Sequence, residues 1–205
     1  MDTILKQRLI CVAVIDKPDD AVPLARALSA GGLNTIEVTF RTDAAAEAIR
    51  LIRRELPAMC VGAGTVLTPY QAAQAADVGA HFLVAPGLDE SVLQAATARN
   101  VTYIPGVVTP TEVSRALALK LRLLKFFPAE VSGGVPMLKA LGGPFAHTGV
   151  KFVPTGGITA ATLASYLALP TVAAVGGSWM AERDLIANGA WDKITALTAE
   201  AMKNA

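Results

Sequence analysis

Thr35-Ile36-Glu37-Val38-Thr39-Phe40 leads through the alanine-rich Ala44 to Glu55 into Cys60-Val61-Gly62-Ala63-Gly64-Thr65-Val66. Two short apolar runs flank a segment with helical spacing, the pattern of parallel strands joined by a helix. The same alternation extends in both directions. Further apolar runs lie at Leu9 to Ile15, His81 to Pro86, Thr102 to Val107, Leu121 to Phe127, Lys151 to Thr155 and Ala173 to Gly177. Helix-spaced stretches separate them at Ala21 to Ala30, Pro69 to Val78, Ser91 to Arg99, Thr111 to Leu119, Pro136 to Leu141 and Ala160 to Leu167. Asp43, Thr68-Pro69, Asp89, Thr109-Pro110 and Thr159 are placed to cap helix starts or to sit in the first turn. Gly31-Gly32, Gly79 and Gly142-Gly143 are placed to stop helices. Eight such strand–helix units in one α/β chain predict a (β/α)8 TIM barrel, a single domain spanning 1–205 and near the minimum size for that fold. Met1 to Arg8 and Asp192 to Asn204 read as terminal helices that cover the barrel floor or its side. A Rossmann-like sheet is the alternative, but no G-x-G-x-x-G opens a helix after the first strand, because Gly62-Ala63-Gly64 continues into Thr65-Val66-Leu67.

Composition agrees. Of 205 residues 53% are hydrophobic but only 5% aromatic, so the core is built from small aliphatic side chains suited to strands buried on both faces. Disordered and collagen-like chains are excluded. The 18 basic and 17 acidic residues leave a net charge of +1 and no basic run, so nothing favours nucleic acid or an anionic membrane surface. The apolar runs are too short to span a bilayer. Leu9 to Ile15 runs straight into Asp16-Lys17-Pro18 without a cleavage site, which marks a first strand rather than a signal peptide. Cys11 and Cys60 sit in strand-like runs as buried free thiols, consistent with a reducing cytoplasm.

Polar side chains at strand positions that should be apolar locate a site. With Ile36, Val38 and Phe40 facing helices, Thr35, Glu37 and Thr39 face the interior, and Arg41 follows just past the strand. A carboxylate and a guanidinium pointing inward are costly unless paired or functional. They read as a site at the barrel top, or as a buried Glu37–Arg41 pair. In Leu121-Arg122-Leu123-Leu124-Lys125-Phe126-Phe127-Pro128, Leu124 and Phe126 face helices, so Lys125 points inward with Leu123 and Phe127. Lysine is rarely buried, and desolvation works against its charged form, which makes Lys125 a candidate nucleophile. Snorkelling, or a salt bridge to Glu37, is the alternative. Pro154-Thr155-Gly156-Gly157-Ile158-Thr159 and Val175-Gly176-Gly177-Ser178-Trp179 end the last two strands. There, glycines let backbone N–H groups approach a phosphate; tight turns without a ligand are the other reading. His81 and His147 are isolated, without a ligand-spaced partner, so no metal is expected.

Glu37-Val38-Thr39-Phe40-Arg41-Thr42, Gly62-Ala63-Gly64-Thr65-Val66, Lys125-Phe126-Phe127-Pro128-Ala129-Glu130, Pro154-Thr155-Gly156-Gly157-Ile158 and Gly176-Gly177-Ser178-Trp179 together resemble the 2-keto-3-deoxy-6-phosphogluconate (KDPG) aldolase family over about residues 9 to 200. The resemblance implies a class I aldolase of the Entner–Doudoroff pathway. It would cleave the phosphorylated sugar acid to pyruvate and D-glyceraldehyde 3-phosphate, and family members also cleave 4-hydroxy-2-oxoglutarate to pyruvate and glyoxylate. It makes Lys125 the Schiff-base lysine, Glu37 the acid/base, Arg41 and Thr65 the pyruvate carboxylate binders and Pro86 a pyruvate-pocket residue. Thr155, Gly156, Gly157, Gly176, Gly177 and Ser178 match the phosphate and polyol end. No cofactor beyond the covalent Schiff base on Lys125 is implied, and a cytoplasmic homotrimer is. Thr155 and Arg41 resemble the phosphogluconate type rather than the phosphogalactonate branch. A non-catalytic phosphosugar-binding barrel, or another barrel chemistry such as an isomerase or synthase, competes with the aldolase. One departure stands out: relatives often carry Arg just after the first strand, where this chain has Asp16-Lys17-Pro18, so either Lys17 contacts phosphate or that contact is missing. Thr39 serves either the site or barrel-layer packing.

Overall fold

The computed structural model describes residues 2–205, and the expectation of helix at Met1 lies outside them. In chain order the elements are α1 Asp2–Gln7, β1 Leu9–Ala13, α2 Ala21–Ala30, β2 Thr35–Thr39, α3 Ala45–Glu55, β3 Cys60–Gly64, α4 Pro69–Asp77, β4 Phe82–Val84, α5 Glu90–Ala98, β5 Thr102–Ile104, β6 Gly106–Val107, α6 Pro110–Ala118, β7 Leu123–Phe126, α7 Gly134–Phe145, β8 Lys151–Pro154, α8 Ala160–Leu167, β9 Val175–Gly177, α9 Arg183–Ala187 and α10 Trp191–Met202. This is the α/β alternation the pattern predicts, and every strand pair is parallel. The ladders divide into two sheets, β5-β4-β3-β2-β1-β9 and β6-β7-β8.

The division falls where the sequence places a proline. Thr102 to Val107, expected as one strand, breaks at Pro105, which has no N–H to donate. Its carbonyl still accepts from Lys125 N–H at 2.8 Å. At the opposite edges, single bridges join Phe152 to Val172 and Thr155 to Gly176.

Strand alternation sorts the apolar side chains into two cores. Leu9, Cys11 and Ala13 join Ile36, Val38, Leu124 and Phe126 in the layer packed against the helices. Ile10, Cys60, Phe82, Val84, Ile104, Val153 and Ala174 form a smaller cluster among the strands, and Ile4 of α1 packs into it from below. That cluster fills the N-terminal end of the strands, so any site must lie above it, at their C-terminal ends. The C-terminal α10 packs beside α2 instead. The two terminal helices therefore take the two places expected of them, floor and side.

Four of the five helix starts marked in the sequence follow side-chain chemistry. Thr68 accepts from Gln71 N–H, Asp89 from Ser91 and Val92 N–H, and Thr109 forms a reciprocal capping box with Glu112. Thr159 N–H donates to the Thr162 hydroxyl at 3.1 Å. Asp43 caps nothing: α3 begins after Ala44, with no side-chain cap. Gly142-Gly143 does not stop its helix either. Two glycines cost about 1 kcal/mol each relative to alanine, a penalty that neighbouring packing absorbs, and α7 continues to Phe145.

Candidate active site

Above the lower cluster, β2 and β7 turn two charged side chains toward each other. Glu37 sits mid-strand, opposite Val12 of β1 and Gly62 of β3, and Lys125 sits opposite Gly106 and Val153. Their side chains are only 2% and 7% exposed, and Lys125 Nζ donates to Glu37 Oε1 at 3.5 Å. The sequence alternative of a buried Glu37–Arg41 pair is therefore corrected. Arg41 lies one residue beyond Phe40, past the strand end, and stands exposed at the rim with no ion-pair partner among the described residues. The salt-bridge alternative for Lys125 is what the geometry contains, yet it does not exhaust the residue's surroundings. The Phe127 ring centroid lies 4.9 Å from Nζ, and an open cavity adjoins both groups.

One neighbour makes this pairing possible. An ideal Cβ on Gly64 would fall 2.1 Å from Glu37 Oε1, so the carboxylate occupies space that only glycine leaves free. Cys11 precedes Val12 on β1 and faces the helices. Burial first, and the Glu37 carboxylate second, push its thiol far above the ordinary range, and burial also raises Cys60. Neither thiol competes with Lys125 as a nucleophile.

The cavity holds about 390 Å³ and is lined by Glu37, Arg41, Thr65, Pro86, Lys125, Thr155, Gly156, Gly157, Gly176, Gly177 and Ser178, all of the residues to which the resemblance gives a role. Thr65 takes φ 55, a left-handed conformation unusual for a β-branched residue. The flanking Phe40 N–H to Gly64 O and Val66 N–H to Val84 O bonds hold it there. Thr39 lines the cavity too, but its hydroxyl donates to Ala13 O at 3.1 Å, which is the packing role. Lys17 does not line it. Beside Lys17, Asp16 is engaged by Arg183 through a two-pronged contact of 2.6 and 2.5 Å, and that hydrogen-bonded guanidinium holds its carboxyl below the usual range.

Val12, Val14 and Ile158 also line the cavity, and no polar character in the sequence marks them as site residues. The register of Val12 against Glu37 would have found the first, since paired residues on parallel strands share a face. Glycine geometry shapes the other end. Gly156 and Gly157 have φ 103 and 79, and a Cβ on Gly176 would meet Thr155 Oγ1 at 2.4 Å. One end of the cavity thus offers a buried amine beside a carboxylate, and the other offers exposed backbone in conformations that favour glycine. Such an arrangement suits covalent capture of a carbonyl compound carrying an anionic tail. His81 is at a strand end, its Nδ1 accepting Val61 N–H at 3.0 Å, and no cluster of three or more metal-ligating side chains occurs among the described residues.

Comparison with known proteins agrees with this layout. The sequence profile of KDPG and KHG aldolase matches residues 1–197. The KHG/KDPG aldolase of Escherichia coli K12 is 46% identical over 197 residues, covering 96% of this chain and 92% of its own. Among solved structures, KDPG aldolase from Legionella pneumophila, with pyruvate captured as a covalent carbinolamine, superposes with a TM-score of 0.91 at 42% identity, covering 96% of this chain and 95% of that one. The 2-keto-3-deoxy-6-phosphogluconate aldolase of Zymomonas mobilis ZM4, bound to 3-phosphoglycerate, gives 0.89 at 42% identity, covering 100% and 95%.

Proposed function

Because the chain belongs to the KDPG and KHG aldolase family, we propose that it is a class I aldolase cleaving 2-dehydro-3-deoxy-6-phosphogluconate to pyruvate and D-glyceraldehyde 3-phosphate through a Schiff base on Lys125. The observation that carries this reading is the buried Lys125–Glu37 contact of 3.5 Å in the floor of a cavity whose far wall is glycine backbone.

Chemistry follows from placement. Glu37 is near enough to take a proton from Lys125, and the free amine attacks the C2 ketone of the substrate. Glu37 returns that proton to the carbinolamine hydroxyl, which leaves as water, and the resulting iminium withdraws electrons from C3. Glu37, directly or through a water, removes the C4 hydroxyl proton; the C3–C4 bond breaks, its electron pair passes into the enamine, and the aldehyde departs. Protonation at C3 and hydrolysis return the water, release pyruvate and restore Lys125. Arg41 at the rim holds the C1 carboxylate as a planar fork, with Thr65 beside it and Pro86 walling the pyruvate pocket. The Thr155-Gly156-Gly157 and Gly176-Gly177-Ser178 turns take the phosphate and polyol end. The covalent carbinolamine of the Legionella pneumophila enzyme and the 3-phosphoglycerate bound by the Zymomonas mobilis enzyme support the two ends of this reading.

We read the two sheets as one closed (β/α)8 barrel forming a single domain. The Phe152–Val172 and Thr155–Gly176 bridges on one side, and the continuous backbone through Pro105 on the other, support closure. The homotrimer implied by the family is part of this reading; exposed Leu67, Tyr70 and Val131 leave apolar surface for association, and light scattering would measure the state. Two free, buried cysteines support a cytoplasmic location. A coupled pyruvate assay across KDPG, its galactonate epimer and 4-hydroxy-2-oxoglutarate, with Lys125→Ala as control, tests the activity. Borohydride with pyruvate is expected to add a stable mass at Lys125; an unmodified lysine in a fully active enzyme overturns the mechanism.

A further inference from the structure

The glycine turn after β8 is held from behind. Ala129 N–H donates to Thr155 O at 2.8 Å and Glu130 N–H to Gly156 O at 3.1 Å, so the segment following β7 extends the ladder onto the turn. In a trans peptide the C=O and the N–H point in opposite directions. With the carbonyls of Thr155 and Gly156 directed at Ala129 and Glu130, the N–H groups of Gly156 and Gly157 face away from that segment. Neither donates a backbone hydrogen bond among the described residues, and both glycines line the cavity. Two successive free N–H groups form a concavity suited to an anion.

Glu130 fixes this arrangement twice over. Besides its N–H bond, its side chain packs so tightly against Gly157 that a Cβ there would fall 2.8 Å from Glu130 Cβ. Although Glu130 is exposed, its carboxyl is tied down: the fully buried Tyr166 of α8 donates its hydroxyl to Glu130 Oε1 at 2.5 Å. Burial, reinforced by that carboxylate, pushes the phenol far above its ordinary range, so it stays protonated as the donor.

We propose that Tyr166 and Glu130 are positioning residues for the phosphate end of the cavity, the phenol holding the carboxylate and Glu130 holding the Gly156–Gly157 turn with its N–H groups toward the ligand. The inference rests on the reading that this turn takes the phosphate. Neither side chain lines the cavity, so each acts through the turn.

The test compares wild type, Tyr166→Phe, Glu130→Ala, Glu130→Gln and the Tyr166→Phe/Glu130→Ala double variant. Three readouts are needed: kcat and KM for KDPG, competitive inhibition by inorganic phosphate, and the pyruvate concentration giving half-maximal borohydride trapping at Lys125. Tyr166→Phe is expected to raise KM for KDPG and the phosphate inhibition constant about tenfold, the scale of one hydrogen bond to a charged group. It should leave kcat within about twofold and pyruvate trapping unchanged. The double variant should be no worse than the single ones, and Glu130→Gln, which keeps an acceptor, should lie nearer wild type. Unchanged phosphate affinity overturns the proposal, and so does a parallel loss of pyruvate and phosphate binding, the mark of general loosening. If the core substitution Tyr166→Phe fails to fold, Glu130→Ala carries the same test. A wild-type enzyme that phosphate does not inhibit competitively overturns the phosphate reading itself, and the proposal with it.

Discussion

Gly64→Ala isolates the contribution of Glu37 without altering any titratable group. The added methyl would sit 2.1 Å from Glu37 Oε1 and 2.7 Å from both Cδ and Cγ. Reaching ordinary contact requires the carboxylate to retreat by about 1.3 Å. Glu37 is wedged in the strand layer with 2% exposure, so it moves by rotating its carboxyl away from Lys125, or the strand shifts. Displacement of a reacting group by about 1 Å costs on the order of 10²-fold in rate. The overpacking also destabilises by about 1–3 kcal/mol. The expected result is a folded enzyme with a slightly lower Tm and kcat for KDPG cleavage reduced about 100-fold, while Lys125 is still trapped by pyruvate and borohydride. Steady-state kinetics alongside thermal unfolding read this directly. A folded variant retaining kcat within threefold would refute the claim that the position of Glu37, set by the missing Cβ of Gly64, governs proton transfer.

Arg41→Lys keeps the charge but loses the planar fork, and is expected to raise the pyruvate concentration needed for half-maximal borohydride trapping about tenfold; an unchanged value removes Arg41 from carboxylate binding. Gly176→Ala sets a methyl 2.4 Å from Thr155 Oγ1 and should raise KM for KDPG more than KM for 4-hydroxy-2-oxoglutarate, measured in parallel. Phe82→Ala empties the lower cluster and should cost about 3–5 kcal/mol in denaturant unfolding with kcat largely kept, because Phe82 lies beneath the cavity. His81 accepts Val61 N–H on Nδ1, and burial first and the Arg53 guanidinium second hold its pKa below the ordinary value. The unfolded chain therefore takes up the proton first as pH falls through about 6.5, and stability is lost from there downward. The Tm of wild type should drop between about pH 7 and 5.5 relative to His81→Asn, and parallel curves would refute the assignment.

What could be read from the sequence followed strand period. Glu37 and Lys125 stood out because charged residues occupied inward positions between apolar ones, a rule that needs only near neighbours. Their partnership stood only as one alternative beside snorkelling, since 88 residues separate them and nothing local decides the contact. Local spacing offered Arg41 as a rival partner of Glu37, and the strand ends before it can be. The same limit hid the Tyr166–Glu130 bond across 36 residues. Asp43 and Gly142-Gly143 failed for the opposite reason: each is a valid local signal, overridden by the packing of α3 and α7.

The cavity exists because β3 withholds side chains. Along this strand the inward positions are Cys60, Gly62 and Gly64, while Val61 and Ala63 pack toward the helices. Phe82 from β4 fills the space above Gly62, where a Cβ would meet its ring at 2.3 Å, and Glu37 from β2 fills the space above Gly64. The two glycines are one strand period apart, so they place the apolar plug and the carboxylate in successive layers. A larger residue at Gly62 would lift the plug into the site; at Gly64 it would expel the acid/base group. The Gly62-Ala63-Gly64 run, which fails as a dinucleotide-binding motif, therefore serves the chemistry sterically, by setting the depth at which Lys125 meets Glu37 rather than by touching a ligand.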